Sequence, residues 1–238
     1  MKLLFPAARA ALVGSLLMLS SLAQAGITVE GTRVIMSAPA QEAAITVGNP
    51  GAQDVMIQSW LEAGDAAAAA ADLPFAITPS LGRLASGKQQ TLRIFYQGEG
   101  LPTDRESVFW LSVQEIPPKA KEENTLQLAV RQRLKVFYRP ARLTGTPEAA
   151  AQQIQWRLVE NAGKPALEAR NASAYHVSLV SATLDNGRYK GDTRMVAPGA
   201  TEIFALNGAA GRPTGATVTY EVVNDYGGVT ALSGALNR

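Results

Sequence analysis

Side chains that could carry out catalysis are scarce in this 238-residue chain. It has no cysteine and a single histidine, His176, so a thiol nucleophile and a metal site built from cysteines or from several histidines are excluded. His176 lies in an alternating stretch, Tyr-His-Val-Ser-Leu, where a lone histidine is usually a surface or hydrogen-bonded residue. The motifs of serine hydrolases, zinc proteases and nucleotide-binding proteins are absent. The sequence therefore predicts a binding protein and not an enzyme, with no metal and no cofactor.

The N-terminal segment has the pattern of a secretory signal peptide. Lys2 and Arg9 supply positive charge, and residues 10–22 form an apolar stretch that is too short to span a bilayer comfortably. The Ala-Gln-Ala sequence at residues 23–25 is a cleavage signal, so we expect the mature chain to begin at Gly26. The sequence therefore predicts an exported, soluble protein.

The predicted cleavage changes the net charge of the protein. Removing Lys2 and Arg9 lowers the count of lysine and arginine from 22 to 20, which equals the 20 acidic residues. A protein without a basic surplus is a poor candidate for binding nucleic acid. No later stretch approaches the length of a transmembrane helix, so no stable membrane insertion is expected.

From Gly26 onward, short runs of alternating apolar and polar residues are separated by turn residues, a pattern typical of β-strands. Up to Pro140 we predict seven strands, the first with a kink or bulge at Gly31. The alanine run at residues 66–71 is too short for an autonomous helix, and we predict a loop there.

The composition changes after Pro140. Residues 141–153 are predicted to be a linker, and a second set of short strands follows. The prediction is an all-β fold of two immunoglobulin-like β-sandwich domains, with residues 26–141 in the first and residues 142–238 in the second.

We predict a strand over residues 125–140, and the functional interpretation of the chain depends on it. Leu126, Leu128 and Val130 alternate with polar or small residues, and Pro140 ends the strand because proline cannot donate to a sheet ladder. Taken alone, such a stripe fits either a core strand or a strand that is shared with a partner. Periodicity does not separate the two, and the core interpretation is the more common outcome.

Two segments carry a resemblance to a known family: DRESVFWLSVQEIPP at residues 104–118 and NTLQLAVRQRLKVFYRP at residues 124–140. They resemble the periplasmic chaperones of chaperone–usher pilus assembly. Further similar motifs follow in the family's order, among them NASAYHVS at residues 171–178 and NDYGG at residues 224–228. The resemblance covers nearly the whole mature chain. It implies two immunoglobulin-like domains set at an angle, with a cleft between them.

The resemblance also implies roles for particular residues. Arg33 and Lys135 are expected to lie in the cleft and to bind the C-terminal carboxylate of a pilus subunit through charge-assisted hydrogen bonds. Without the resemblance, both would be interpreted as ordinary solvated charges. Glu106, Arg139 and Asp225 are expected to form a charged network between the domains.

Leu126, Leu128 and Val130 are expected, by the same resemblance, to be donated to a subunit that lacks its last strand. Strict alternation puts Lys135 on the opposite face from Leu126, so its cleft role requires a twist, a bulge or an edge-on approach.

The predicted function is therefore that of an ATP-independent periplasmic chaperone. It would bind and fold pilus subunits and deliver them to an outer-membrane usher. The free chaperone is also expected to be able to cap its donor strand by dimerising. The alternative is an exported two-domain structural or adhesive β-sandwich protein.

Overall fold

The structure is a computed structural model that describes residues 26–64, 73–119, 128–208 and 211–237. The predicted signal peptide, the alanine run at residues 66–71 and Leu126 lie outside the described residues. Within them the chain forms seventeen strands and one short helix. In chain order these are β1 Thr28–Val29, β2 Arg33–Ser37, β3 Glu42–Gly48, β4 Val55–Ala63, β5 Phe75–Thr78, β6 Leu81–Leu84, β7 Gln89–Tyr96, β8 Ser107–Ile116, β9 Arg131–Arg139, α1 Pro147–Gln152, β10 Gln155–Asn161, β11 Lys164–Arg170, β12 Val177–Leu184, β13 Tyr189–Gly191, β14 Met195–Val196, β15 Thr201–Gly208, β16 Thr217–Val223 and β17 Val229–Asn237.

The first nine strands form a sandwich of two sheets. One sheet has the order β1-β3-β7-β5, and the other has the order β2-β9-β8-β4-β6. The core between them follows from period-two alternation, since successive side chains of a strand point to opposite faces. On β7, Leu92 and Ile94 are fully buried, and on β8 Leu111 and Val113 are fully buried. The predicted first sandwich is thus present, with nine strands where the sequence predicted seven.

Part of the difference in strand number arises at Gly31. The predicted first strand is divided there into β1 and β2, which belong to different sheets. Gly31 has a φ of +110°, a backbone conformation that favours glycine. The short strand Leu81–Leu84, which pairs with β4, was not predicted.

The strands of the second domain form one continuous sheet, in the order β13-β15-β11-β10-β17-β16-β12-β14. It folds over on itself, because β13 pairs with both β15 and β12. Trp156, Phe204 and Tyr220 are fully buried inside it, and the rings of Trp156 and Tyr220 are 5.1 Å apart. The all-β class and the two immunoglobulin-like domains are confirmed, while the boundary at residue 141 stays a prediction.

The predicted linker at residues 141–153 contains the helix α1, and in this respect the prediction was wrong. Thr146 caps the helix, since its Oγ1 accepts a hydrogen bond from Ala149 N at 3.2 Å, and Pro147 begins the first turn. Ala150 and Ala151 are buried against the core of the second domain. A six-residue helix is not stable alone, so this packing is what holds it.

The strand predicted over residues 125–140 is shorter in the structure. β9 begins at Arg131 and ends at Arg139, directly before Pro140. Leu128 and Val130 precede the strand, although Glu115 N still donates a hydrogen bond to Val130 O at 2.9 Å. β9 pairs with β8 in the antiparallel sense and with β2 in the parallel sense.

The described residues contain no helix long and apolar enough to cross a membrane. They also contain no cluster of three or more histidine, aspartate or glutamate residues that could hold a metal ion.

The core of the first domain can be tested by a substitution at Leu111. Replacing this fully buried residue by alanine leaves a cavity, and we expect the free energy of unfolding to fall by about 2–5 kcal/mol in urea unfolding. The control is Leu81→Ala on β6, because Leu81 is 57% exposed and should cost less than about 0.5 kcal/mol. Equal losses for both variants would contradict this assignment of the core.

Candidate binding cleft between the two domains

Arg33 and Lys135 lie side by side on adjacent strands. Arg33 is the first residue of β2, and the parallel register of β2 and β9 pairs it directly with Lys135. The change of sheet at Gly31 positions β2 along the edge of β9. Two cations that are far apart in the sequence are thereby placed next to each other.

Alternation along β9 turns Lys135 away from the core of the first domain. Leu134 and Val136 are buried in that core, and the pairing of β9 with β8 continues without a register shift. The outward face of the sheet is a wall of the interdomain cleft, since Lys135 Nζ donates a hydrogen bond to Ser178 Oγ of the second domain at 3.3 Å. Lys135 therefore reaches the cleft without a bulge, simply because it is on the opposite face from the buried residues.

Arg33 also reaches the second domain. Its Nη1 donates a hydrogen bond to Val223 O at 3.1 Å, and its guanidinium carbon lies 5.8 Å from the centre of the Phe137 ring. Its Nε is buried and has no hydrogen-bond partner among the described residues. Burial lowers the pKa of Arg33, an effect that the negative charges of Asp225 and Glu106 partly oppose.

Lys135 is desolvated in the same way. Its Nζ lies 5.7 Å from the centre of the Trp110 ring. Burial lowers the pKa of Lys135, and the positive charge of Arg33 lowers it further. The Ser178 hydroxyl that accepts the hydrogen bond from Lys135 is neutral, so it supplies no negative charge to balance the ammonium group.

Within the described ranges, neither Arg33 nor Lys135 forms an ion pair with a carboxylate. Arg33 also lines a cavity of about 150 Å³ between the domains, together with Phe137, His176 and Val223. Two partly buried cations that are not engaged in an ion pair form a favourable site for an anion. A carboxylate bound between them would accept charge-assisted hydrogen bonds from both and offset the cost of their burial.

Glu106, Arg139 and Asp225 are in direct contact, as their assignment to one network requires. Arg139 Nε donates to Glu106 Oε1 at 2.7 Å, and its two terminal nitrogens bind Asp225 in a bidentate arrangement at 2.5 and 2.7 Å. Burial lowers the pKa of Arg139, but hydrogen bonds to Asp225 and Glu106 outweigh that effect and raise it above its ordinary value. The Arg139 side chain is 14% exposed and that of Glu106 is 1% exposed, so this ion pair is buried.

His176 joins this network, which sequence reasoning did not anticipate. Its backbone N–H donates to Glu106 Oε2 at 2.7 Å, and its ring Nδ1 is 2.9 Å from the same oxygen. Glu106 N also donates to Ala174 O at 2.8 Å. His176 belongs to the motif at residues 171–178 that supports the family resemblance, which could have marked it for attention. The alternating pattern around a lone histidine does not show which distant residue it binds.

Further cations occupy the outward face of the same sheet. Arg131 binds Glu62 and Ser112, and its guanidinium carbon is 4.9 Å from the centre of the Trp60 ring. Arg133 also pairs with Glu62, at 3.2 Å. These contacts fix the first residues of β9 against β4 and β8.

The segment before β9 is exposed. Leu128 is 71% exposed and Val130 is 38% exposed, whereas Leu134 and Val136 continue the same alternation inside the core. Leu126 lies outside the described residues. The proposed roles of the donor residues, the two cleft cations and the network residues stay predictions.

Two family models match the chain. The model described as "Pili and flagellar-assembly chaperone, PapD N-terminal domain" matches residues 26–144. The model described as "Pili assembly chaperone PapD, C-terminal domain" matches residues 149–234.

Similar proteins are named as chaperones. The chaperone protein FimB/FhaD of Bordetella pertussis is 39% identical over 233 residues, which cover 92% of this chain and 93% of that protein. The probable fimbrial chaperone YadV of Escherichia coli K12 is 37% identical over 219 residues, which cover 88% of this chain and 89% of that protein.

Solved structures agree with the fold. The crystal structure of the YadV chaperone superimposes with a TM-score of 0.77 at 36% identity, covering 88% of this chain and 99% of that one. A chain of the Salmonella enterica complex of SafA pilin with the SafB chaperone gives a TM-score of 0.76 at 28% identity, covering 89% of this chain and 96% of that one. Sequence and fold are thus similar to the same group of proteins.

Arg139 tests the interdomain network. In Arg139→Ala, the buried carboxylate of Glu106 loses its guanidinium partner, and we expect the free energy of unfolding in urea to fall by about 3–5 kcal/mol. The control is Arg93→Ala, which removes an ion pair with Glu42 in which both side chains are exposed. We expect the control to lose far less stability. A loss at Arg139 no larger than that at Arg93 would contradict a structural role of the network.

Proposed function

The chain belongs to the family of PapD-like chaperones of pilus assembly, and from this premise we propose that it binds pilus subunits by completing their immunoglobulin-like fold with one of its own strands. Binding needs no nucleotide. The observation that carries the proposal is the pairing of Arg33 with Lys135 on the cleft wall, two desolvated cations that form no ion pair among the described residues.

We infer that Arg33 and Lys135 bind the C-terminal carboxylate of the subunit. Every chain ends in a carboxylate with two oxygens, which can accept hydrogen bonds from the planar fork of Arg33 and from the ammonium of Lys135. The unpartnered Nε of Arg33 and the weak hydrogen bond of Lys135 to Ser178 support this assignment.

We further infer that Leu126, Leu128 and Val130 fill pockets along the groove of the subunit while the backbone of this segment pairs with its edge strand. The exposure of Leu128 supports this, because the segment continues the alternation of β9 beyond the chaperone's own core. Burying an aliphatic side chain contributes about 1.5–3 kcal/mol. Three such chains give an upper limit of about 5–9 kcal/mol before the cost of ordering both partners.

The remaining parts of the proposal concern location and delivery. The protein would be exported to the periplasm by a cleavable signal peptide, would hand its subunit to an outer-membrane usher, and would have no enzymatic activity. In the absence of a subunit, a second copy of the chaperone would cover the exposed segment before β9. The adhesive or structural alternative is not favoured, because the relatives that match along most of their length are named as chaperones.

The anchoring role is tested by Arg33→Ala and Lys135→Ala. Each variant loses one charge-assisted hydrogen bond to the subunit carboxylate, worth about 1.5–3 kcal/mol, so we expect subunit capture to fall by about tenfold to a hundredfold. The measurement is the amount of subunit that co-purifies from periplasmic extract, with circular dichroism to show that the chaperone is folded. Lys164→Ala is the control, since Lys164 is an exposed cation on β11. Full recovery of subunit with either cleft variant would refute the anchoring role.

The donor role is tested by Leu128→Glu. Because Leu128 is 71% exposed in the chaperone, the variant should keep the thermal midpoint of the wild type. It should nevertheless fail to form the complex, since a charge would be buried in a groove pocket. Leu81→Glu, another exposed leucine of the first domain, should capture subunit normally. A large loss of thermal stability in Leu128→Glu would show that the side chain belongs to the chaperone's own core.

A further inference from the structure

The first two residues after the predicted cleavage site lie beside the segment that precedes β9. Ile27 N donates a hydrogen bond to Glu115 Oε2 at 3.0 Å, and Ile27 O accepts one from Gln132 Nε2 at 2.7 Å. Glu115 N in turn donates to Val130 O at 2.9 Å. Glu115 therefore contacts both the start of the mature chain and the exposed segment.

Gly26 lies even closer to these groups. A methyl group on its α-carbon would lie 3.3 Å from Glu115 Oε2 and 3.5 Å from Val130 Cγ2. The nitrogen of Gly26 is bonded to the same α-carbon, so it lies at most ~6 Å from that carboxylate oxygen. Gly26 has a φ of +80°, so glycine suits both the close approach and the backbone conformation.

We propose that cleavage after Ala25 creates an ion pair between the new α-ammonium of Gly26 and the carboxylate of Glu115, and that this pair fixes the start of the mature chain beside Val130. The inference rests on the export part of the proposed function. Hydrolysis of the Ala25–Gly26 bond adds one water, leaves a carboxylate on Ala25 and frees an amine on Gly26. That amine takes up a proton at neutral pH, because the pKa of an α-amino group is about 7.7–8.0.

The uncleaved chain lacks this charge. Its Gly26 nitrogen is part of a peptide bond, which is neutral and makes no ion pair. The hydrogen bonds of Ile27 use its own backbone N–H and C=O and need no free amine at Gly26, so the ion pair is the contact that processing would add. An opposite charge within about 4–6 Å stabilises an ammonium group.

The ion pair would add a second contact that holds the proposed donor segment in place at Val130, where it joins β9. On the outward face of the sheet, Arg131 is bound by Glu62 and Ser112. On the other side, residues 26–27 contact Val130 and Gln132. The processed protein would thus hold the segment from both sides, and the precursor would hold it less firmly.

Among the described residues, three side chains lie against Gly26 or bind the backbone of Ile27: Glu115 from β8, Val130 from the segment before β9, and Gln132 from β9. Glu115 is the ionisable group of the three. The nearby carboxylate of Glu30 accepts a hydrogen bond from Gln89 Nε2 at 3.2 Å. Glu30 is close to Gly26 in the chain, but its carboxylate is bound by Gln89. Glu30→Gln therefore serves as a control that removes the same charge from a carboxylate with another partner.

The test uses the full chain, expressed with its own first 25 residues and recovered from the periplasm. Mass spectrometry gives the first residue of the mature protein. The α-amine is then labelled by reductive ¹³C-methylation and titrated by NMR. We expect its pKa to lie roughly one unit above the value of the same labelled amine in the urea-unfolded chain. Glu115→Gln should remove this difference, and Glu30→Gln should retain most of it.

A stability measurement gives a second readout. Because the folded pKa of the amine is expected to be raised, the stabilisation is fully present below the unfolded pKa of about 7.7 and is lost as the pH rises through the folded value. The difference in thermal midpoint between the wild type and Glu115→Gln should therefore shrink between about pH 7 and pH 10.

Two results would overturn the inference, and they are distinguishable. A mature protein that begins at another residue would refute both the predicted processing and the ion pair. A mature protein that begins at Gly26, but whose amine has the same pKa folded and unfolded or in the wild type and Glu115→Gln, would refute the ion pair and leave the chaperone function standing.

Discussion

The cleft depends on one buried guanidinium. Arg139 lies at the end of β9 and binds Glu106 from the first domain and Asp225 from the second. Such charges lose their hydration on burial, and the arrangement is favourable only while every partner stays in place. The backbone N–H of His176, in the second domain, donates to the same Glu106 carboxylate, and its ring Nδ1 lies 2.9 Å from it, so the second domain contacts this network through both Asp225 and His176. In the same arrangement of the domains, Arg33 donates a hydrogen bond to Val223 O and Lys135 donates one to Ser178 Oγ.

The two faces of β9 have different surroundings because side chains alternate along a strand. Leu134, Val136 and Tyr138 pack into the first core, while Lys135 and Arg139 face the second domain. The same strand therefore contributes residues to the first core and residues to the contact with the second domain. Upstream of β9 the alternation continues to Val130 and Leu128, but the described residues leave Leu128 71% exposed. An exposed segment that continues the alternation of a core strand would be suited to completing another protein's sheet.

Much of the architecture could be predicted from the sequence, because strand periodicity and turn residues are local signals. The all-β class and the two sandwiches follow from them, and the kink at Gly31 was predicted too, although not that the chain changes sheet there. The helix α1 was missed because its six residues are held by packing of Ala150 and Ala151 and not by their own propensity. That Arg33 and Lys135 lie next to each other could be expected only from the family resemblance, because no local pattern links two positions so distant in the chain.

The sequence by itself determined what the protein lacks and what its strands look like. With no cysteine and one histidine, it excluded thiol and multi-histidine chemistry, and its alternating runs predicted strands. Only the tertiary structure decided which alternating residues are buried. Leu128 and Leu134 follow the same pattern, but Leu128 is 71% exposed and Leu134 is 5% exposed. The physical reason is that burial depends on a second sheet being present opposite the strand, and the distribution of charge in the cleft depends on a second domain. Both are contacts between residues far apart in the chain, which periodicity does not encode.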